Sequence, residues 1–296
     1  MRALPADGEA GGARLRQITD HVFAEFFFWG CNPGYVATSD GVFMIDTPQQ
    51  PTDAVRWREH LEGVGPIRHL VNTEPHIDHI AGNAYFPGVE VIGQRGMLPR
   101  YEEMAPRMSS EERRKQLEEQ DPNSSWLVAH PAYPPNPPTR LFDDRLTVNL
   151  GEHTIEVIHH PGHTPPQTSV WLPDEGVIFP GDNVFHQVKT FIQEADPWQW
   201  LESLDAIRAL DPAIIVPGHG EPCTTAYLAE QAEIIEAWVS AVEDLVKQGV
   251  TLEEARTQRP ATDPYRIGQR LFPIEDGLNV RIIDNLYPRV VERLAR

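Results

Sequence analysis

The sequence predicts an α/β protein in which two β-sheets pack together between helices, and three observations carry that reading. Short runs rich in branched apolar residues recur along the chain, several ending at a polar residue beside glycine. Stretches with helical apolar spacing, at residues 53–61, 196–209 and 227–247, separate or follow them. The strand-like runs fall into two groups, one within residues 22–92 and one within residues 140–216, which fits a second sheet packed on the first. At 296 residues and 40% hydrophobic, the chain can bury a sizeable core.

Residues 1–14 are rich in glycine, alanine and acid and are expected to be disordered. From Leu15 the chain reads as a meander: residues 22–29 are apolar and aromatic, and residues 35–38 and 42–45 flank the turn Ser39-Asp40-Gly41. Pro51-Thr52 opens the helix at 53–61, since proline suits the first helical turn. Strands follow at 67–71 and 89–92. Residues 97–140 break this rhythm with charged helical sequence, a start signal at Ser109 to Glu112, and five prolines between residues 131 and 138. This stretch reads as an insertion over a cleft, with Met97, Met104, Met108, Trp126 and Tyr133 as candidates for apolar substrate contact; a surface excursion or oligomer contact is the competing reading.

The second half opens at residues 140–148 with L-F-D-D-R-L-T-V, a hairpin-like stretch, and continues with strands at 154–158, 168–172, 177–179 and 213–216. The helix at 196–209 places Trp198, Leu201, Leu204 and Ile207 on one face, and the helix at 227–247 stops at Gly249. The tail, residues 252–296, adds charged helices, the last anchored by Val290, Val291 and Leu294. No composition break separates it, so residues 15–296 are expected to form one domain with a helical C-terminal extension from about residue 224.

The chemistry concentrates in V-N-T-E-P-H-I-D-H-I-A-G-N, residues 71–83, where Glu74, His76, Asp78 and His79 follow a strand end. Imidazole with carboxylate, and no thiol, suits zinc, iron or manganese. Three later strand ends supply partners: His163 in H-H-P-G-H-T, Asp182 in F-P-G-D-N and His219 in V-P-G-H-G. The glycines beside them let the backbone turn each side chain over its strand end. Asp46, in I-D-T, is a candidate to orient a ligand or cap a turn, and His160 to support the site from behind. His186 and Lys189 are candidates to hold a substrate carboxylate. Cys31 has no nearby histidine in sequence and is not expected to be a nucleophile.

The pattern E-x-H-x-D-H, followed by His, Asp and His on later strand ends, resembles the metallo-β-lactamase-fold hydrolase superfamily. The resemblance runs from N-P-G-Y-V-A-T-S-D-G-V-F-M-I-D-T near residue 40 to P-G-H-G near residue 219. It implies a four-layer αββα sandwich with metals at one edge between the sheets. It also implies two zinc ions, one held by Glu74, His76 and His163 and one by Asp78, His79 and His219, with Asp182 bridging. A metal-bound hydroxide, held by Asp78, would then attack an ester, lactone, thioester or amide carbonyl of a small molecule. The first motif of that family usually begins with histidine, where this chain has Glu74. The exchange puts an anion in place of a neutral ligand, which leaves iron or manganese open and keeps an iron-dependent redox enzyme as the alternative.

The formal charge of −19 argues against a nucleic-acid partner. Two cysteines far apart make a disulfide framework unexpected. The first residues lack an apolar leader and no stretch approaches a membrane span, so a cytoplasmic enzyme with no membrane partner is expected, with homo-oligomerisation left open.

Overall fold

The first sheet begins as a meander. In the computed structural model, which describes residues 15–108, 110–121, 136–258, 263–266 and 275–296, β1 (Leu15–Gln17), β2 (Val22–Glu25), β3 (Gly34–Thr38) and β4 (Gly41–Ile45) pair antiparallel in sequence order. Helix α1 (Pro51–Val64) then crosses over, and a crossover is what a parallel neighbour requires. β5 (Ile67–Val71), β6 (Glu90–Gln94) and β7 (Arg140–Phe142) accordingly add in parallel, completing seven strands. The short α2 (Ile77–Ile80) follows β5, while α3 (Met97–Met108) and α4 (Glu111–Gln120) lie between β6 and β7. The Ser110 hydroxyl caps α4 by accepting from the Arg113 amide. The expected disorder at residues 1–14 falls outside the described residues, as do Ser109, Trp126 and Tyr133.

β8 (Arg145–Leu150), β9 (His153–His159), β10 (Thr168–Leu172) and β11 (Val177–Phe179) form an antiparallel second sheet. β12 (Phe185–His186) is set apart from it, and after helix α5 (Pro197–Ala209) strand β13 (Ile214–Ile215) joins β11 in parallel. β14 (His219–Gly220) pairs with β12 alone. Helices α6 (Tyr227–Lys247), α7 (Leu252–Ala255) and α8 (Glu275–Leu294) complete the described chain.

Side-chain alternation along the strands assigns the layers. In β4, Phe43 and Ile45 point into an inter-sheet core with Val36, Val157, Val170 and Phe179. Their neighbours Val42 and Met44 point the other way, onto Trp57 and Leu61 of α1. In β10 and β11, Trp171 and Ile178 pack outward against Trp200 of α5, Trp238 of α6 and Leu286 of α8. The order is therefore helix, sheet, sheet, helix. Trp57, Trp200 and Trp238 are each fully buried, and burying a large apolar side chain contributes roughly 1.5–3 kcal/mol.

Several local expectations are corrected. The stretch L-F-D-D-R-L-T-V is not a hairpin: β7 extends the first sheet beside β6, and β8 pairs with β9 in the second. Asp143 and Asp144 carry the chain between sheets, so Phe142 and Val148 meet in the inter-sheet core from opposite sides. The strand expected over 22–29 stops at Glu25. On α5, Trp200 is the core residue, whereas Trp198 is only partly buried beneath the Arg293 guanidinium, 4.4 Å from its ring. On α8, Val290 is buried but Val291 and Leu294 are 41% and 44% exposed. Met97 and Met108, expected to face substrate, are buried in apolar clusters with Tyr101 and with Trp57.

Candidate metal centre

The loop after β5 is pinned before it presents any ligand. Asp46, at the end of β4, sits at φ 54°, a region aspartate tolerates better than most residues. There its carboxylate accepts from the Thr73 amide at 2.8 Å, the Thr73 hydroxyl at 2.6 Å and His79 Nδ1 at 2.9 Å. The last bond puts the His79 proton on Nδ1, leaving Nε2 with a free lone pair. That nitrogen lies 3.3 Å from Asp182 Oδ1 and 3.4 Å from Glu74 Oε1.

The other imidazoles are oriented in the same manner. His163 Nδ1 donates to the Phe191 carbonyl at 2.7 Å, which turns Nε2 toward Glu74 Oε2 at 3.6 Å and Asp182 Oδ2 at 3.7 Å. His76 uses Nε2 to bond Glu194, and its Nδ1 meets Glu74 Oε2 and lies 3.2 Å from His163 Nε2. His219 stacks on Phe185, ring centroids 5.5 Å apart, and aims Nε2 at Asp78 Oδ2, 3.2 Å away, and Asp182 Oδ2, 3.3 Å away. Gly218 permits this approach, because a Cβ there would lie 1.9 Å from Asp182 Oδ1.

Two sets emerge. The candidate ligand atoms of Glu74, His76, His163 and Asp182 lie within 4.8 Å of one another, as do those of Asp78, His79 and His219. Asp182 straddles them, with one oxygen toward His79 and the other toward His163 and His219. Glu74 straddles them too, reaching His79 with Oε1 and the His76–His163 pair with Oε2. Sequence reasoning placed Glu74 on one side only; the two oxygens of its carboxylate, facing opposite ways, let it meet both.

Burial penalises every charge here, and the groups offset that penalty for one another. His219 and His79 hold the Asp182 carboxyl well below the usual carboxylate range despite its burial. Burial likewise opposes the ionised Asp78, yet beside His219 its carboxyl falls to about 2. His219 rises to about 9 against its own burial because Asp182 and Asp78 face it. Even so, Glu74 Oε1 and Oε2, His79 Nε2 and Asp182 Oδ1 are buried without a well-aligned hydrogen bond among the described residues. Close approach without donor alignment describes side chains aimed at a common point between them.

Other sequence candidates stand elsewhere. His160 bonds Ser169 Oγ at 2.9 Å and does not join the cluster. His186 donates from Nδ1 to the Glu221 carbonyl at 2.7 Å, and the Lys189 charge acts on Asp263. Cys31 lies near His79 and Asp46, but burial pushes its thiol up to about 12, which keeps it protonated. Two supporting residues were missed. Asn183 accepts from the His163 amide at 3.1 Å and donates to the His160 carbonyl at 2.7 Å. Glu194, its carboxyl held at about 2 by His76 against partial burial, also binds Arg100 of α3 at 2.6 Å. Neither sits in a recognisable motif; only an acid within the apolar loop F-I-Q-E-A hinted at Glu194.

A family model described as the metallo-beta-lactamase superfamily matches residues 27–219, spanning every residue of the two sets. The chain belongs to that superfamily. A hydroxyacylglutathione hydrolase of Erythrobacter litoralis (strain HTCC2594) is 27% identical over 228 residues, covering 75% of this chain and 76% of that protein. An acyl-coenzyme A thioesterase of Gallus gallus is 30% identical over 129 residues, covering 42% of this chain and 44% of that one. Among solved structures, a double mutant of the sec-alkyl sulfatase PisA1 superposes with a TM-score of 0.67 at 16% identity, over 93% of this chain and 50% of that one, which shows the shared fold. The curated relatives are hydrolases and the family typically binds metal ions; no described helix here is long and apolar enough to cross a membrane.

Proposed function

We propose that the chain is a dinuclear zinc hydrolase that cleaves an acyl bond of a small molecule: a thioester first, then an ester, lactone or amide. The observation that carries this is the pair of buried carboxylates, Glu74 and Asp182, straddling two groups of imidazoles, with both Glu74 oxygens and Asp182 Oδ1 left without a well-aligned hydrogen bond among the described residues. Buried polar atoms left without partners are costly. Cations between the two sets would satisfy Glu74, His79 and Asp182 at once, so the donor set fits the metal that the superfamily implies. Oxygen and imidazole donors suit zinc. The named relatives that act on acylglutathione and acyl-coenzyme A favour a thioester as the first substrate to try.

In this reading Glu74, His76 and His163 would hold one ion and Asp78, His79 and His219 the other, with Asp182 between the sets and Glu74 Oε1 also facing His79. Bound there, divalent cations supply Lewis acidity toward an acyl oxygen and make water ionise near neutral pH. The chain's own part is orientation. Asp78 and His76 are the cluster members whose side chains reach solvent, 19% and 22% exposed, so they mark the side from which substrate enters. Asp78 accepts a hydrogen bond from the attacking water and turns its lone pair to the acyl carbon. Asp46, Glu194 and the Phe191 carbonyl hold His79, His76 and His163, three of the four imidazoles, so that little reorganisation accompanies reaction.

Elemental analysis of protein purified without added metal tests this reading. The expected result is close to two zinc ions per chain, with thioester cleavage abolished by a chelator and restored by zinc. Iron in place of zinc, or full cleavage by metal-free protein, overturns it.

A further inference from the structure

Far from this cluster along β9, three side chains from both sheets converge. His21 precedes β2 of the first sheet, His153 opens β9 of the second, and Glu175 lies in the turn after β10. His21 Nδ1 stands 2.9 Å and His153 Nε2 2.8 Å from the same oxygen, Glu175 Oε1. The three candidate ligand atoms lie within 4.8 Å of one another. Seven residues of extended β9 put this group about 20 Å from the end of the strand that leads to His163.

We propose that His21, His153 and Glu175 form a further divalent-metal site, of the zinc type, that clips the two sheets together. Two imidazoles and a carboxylate are a zinc donor set, and zinc–ligand bonds of about 2.0–2.2 Å put tetrahedral donors roughly 3.3 Å apart. The two imidazole–carboxylate separations have to open by only a few tenths of an ångström from 2.9 and 2.8 Å, and the two imidazole nitrogens already lie within 4.8 Å of each other. His21 can supply that movement, since its side chain is 45% exposed, and it leaves a fourth position open to water. His153, 4% exposed, supplies the fixed wall.

The decisive detail is the other nitrogen of His153. With Nε2–H donated to Glu175, Nδ1 is a buried acceptor with no hydrogen-bond partner among the described residues. It faces a carboxylate instead, Glu152 Oε1 at 3.5 Å, while Glu152 Oε2 is fixed by the Ser39 amide and hydroxyl. A cation on Nε2 moves the proton to Nδ1, where it becomes a donor toward Glu152. That imidazole–carboxylate relay is the usual support behind a metal-bound histidine. His21 would move its proton from Nδ1 to Nε2 in the same way. Glu152 and Glu175 together balance the charge of one divalent ion.

The test is zinc titration of the metal-stripped full chain by calorimetry, in the wild type, His21→Ala and Glu175→Gln. The wild type is expected to take up one more zinc per chain than either variant. His21 is half-exposed and belongs to none of the apolar clusters, and Glu175→Gln keeps a hydrogen-bonding group, so both variants are expected to fold. In the wild type alone, the imidazole NMR signals of His21 and His153 are expected to move on zinc addition. Equal zinc uptake in all three proteins, or unmoved His21 and His153 signals, overturns the proposal and leaves a hydrogen-bonded triad only.

Discussion

Glu74 is the residue on which the centre turns, because its two oxygens reach toward both imidazole sets while hydrogen-bonding neither in good alignment. Glu74→Ala is expected to lower zinc content from near two ions toward one per chain, read by elemental analysis. Glu74→His returns a neutral ligand of similar reach and is expected to keep both ions and to preserve or raise kcat. Loss of all cleavage with full metal content would show that the carboxylate has a role beyond holding metal. Glu194 acts one step further out, through His76. Replacing such a partner typically weakens metal affinity about 10–100-fold, so Glu194→Gln is expected to raise the zinc dissociation constant by that factor. At saturating zinc its KM should stay close to that of the wild type. A large fall in kcat under those conditions would mean that Glu194 meets the substrate directly.

At the scale of elements, α3 is tied to the centre by the Arg100–Glu194 ion pair, so a helix outside the sandwich bears on how His76 is held. Strands β9 and β10 offer a separate test at His160, which is buried against Ser169. Burial first, then the charges of Arg145 and His159, push His160 down from 6.5 to about 4. The folded state therefore excludes a proton that the unfolded chain accepts, so stability falls as pH drops below 6.5 and goes on falling to about 4. Each unit in that window costs about 1.4 kcal/mol. Urea unfolding at pH 7.5 and pH 5 should show a loss that is about 2 kcal/mol smaller in His160→Gln than in the wild type. Equal losses would place the acid sensitivity elsewhere. These elements also show how far the sequence could be read. β3, β4 and β10 alternate or run apolar to their ends and stand where the pattern put them. The turn Asp143-Asp144 could not be read, because two short strands joined by two residues look alike whether they pair or part to different sheets. The convergence of Glu74, His76, Asp78, His79, His163, Asp182 and His219 was visible because each follows a strand end, often beside a glycine. Glu194 and Asn183 were not, since their importance lies in a partner far along the chain and leaves no local periodicity.

For the whole molecule, the centre is also a joint. Glu74, His76, Asp78 and His79 follow β5 of the first sheet, while His163, Asp182 and His219 follow β9, β11 and β13 of the second. A cation shared between them would bind the folded chain alone and would stabilise it by mass action, by about 4 kcal/mol when free metal stands at 1,000 times its dissociation constant. For a chain this long each kcal/mol moves Tm by roughly 2–4 °C. Stripping metal with a chelator should therefore lower Tm by on the order of 10 °C. His219, raised against its own burial to about 9 by Asp182 and Asp78, must shed a proton to bind a cation, so the gap between loaded and stripped protein should widen from pH 6 to pH 8. A variant that removes a donor of the first set alone, such as His76→Ala, should retain part of the gap, and one that removes a carboxylate shared by both sets, Asp182→Ala, should lose nearly all of it. Identical melting curves with and without chelator, in protein shown to release its metal, would mean that the two sheets are held by their apolar core alone. The ligand loops would then be carried on a scaffold that does not depend on them.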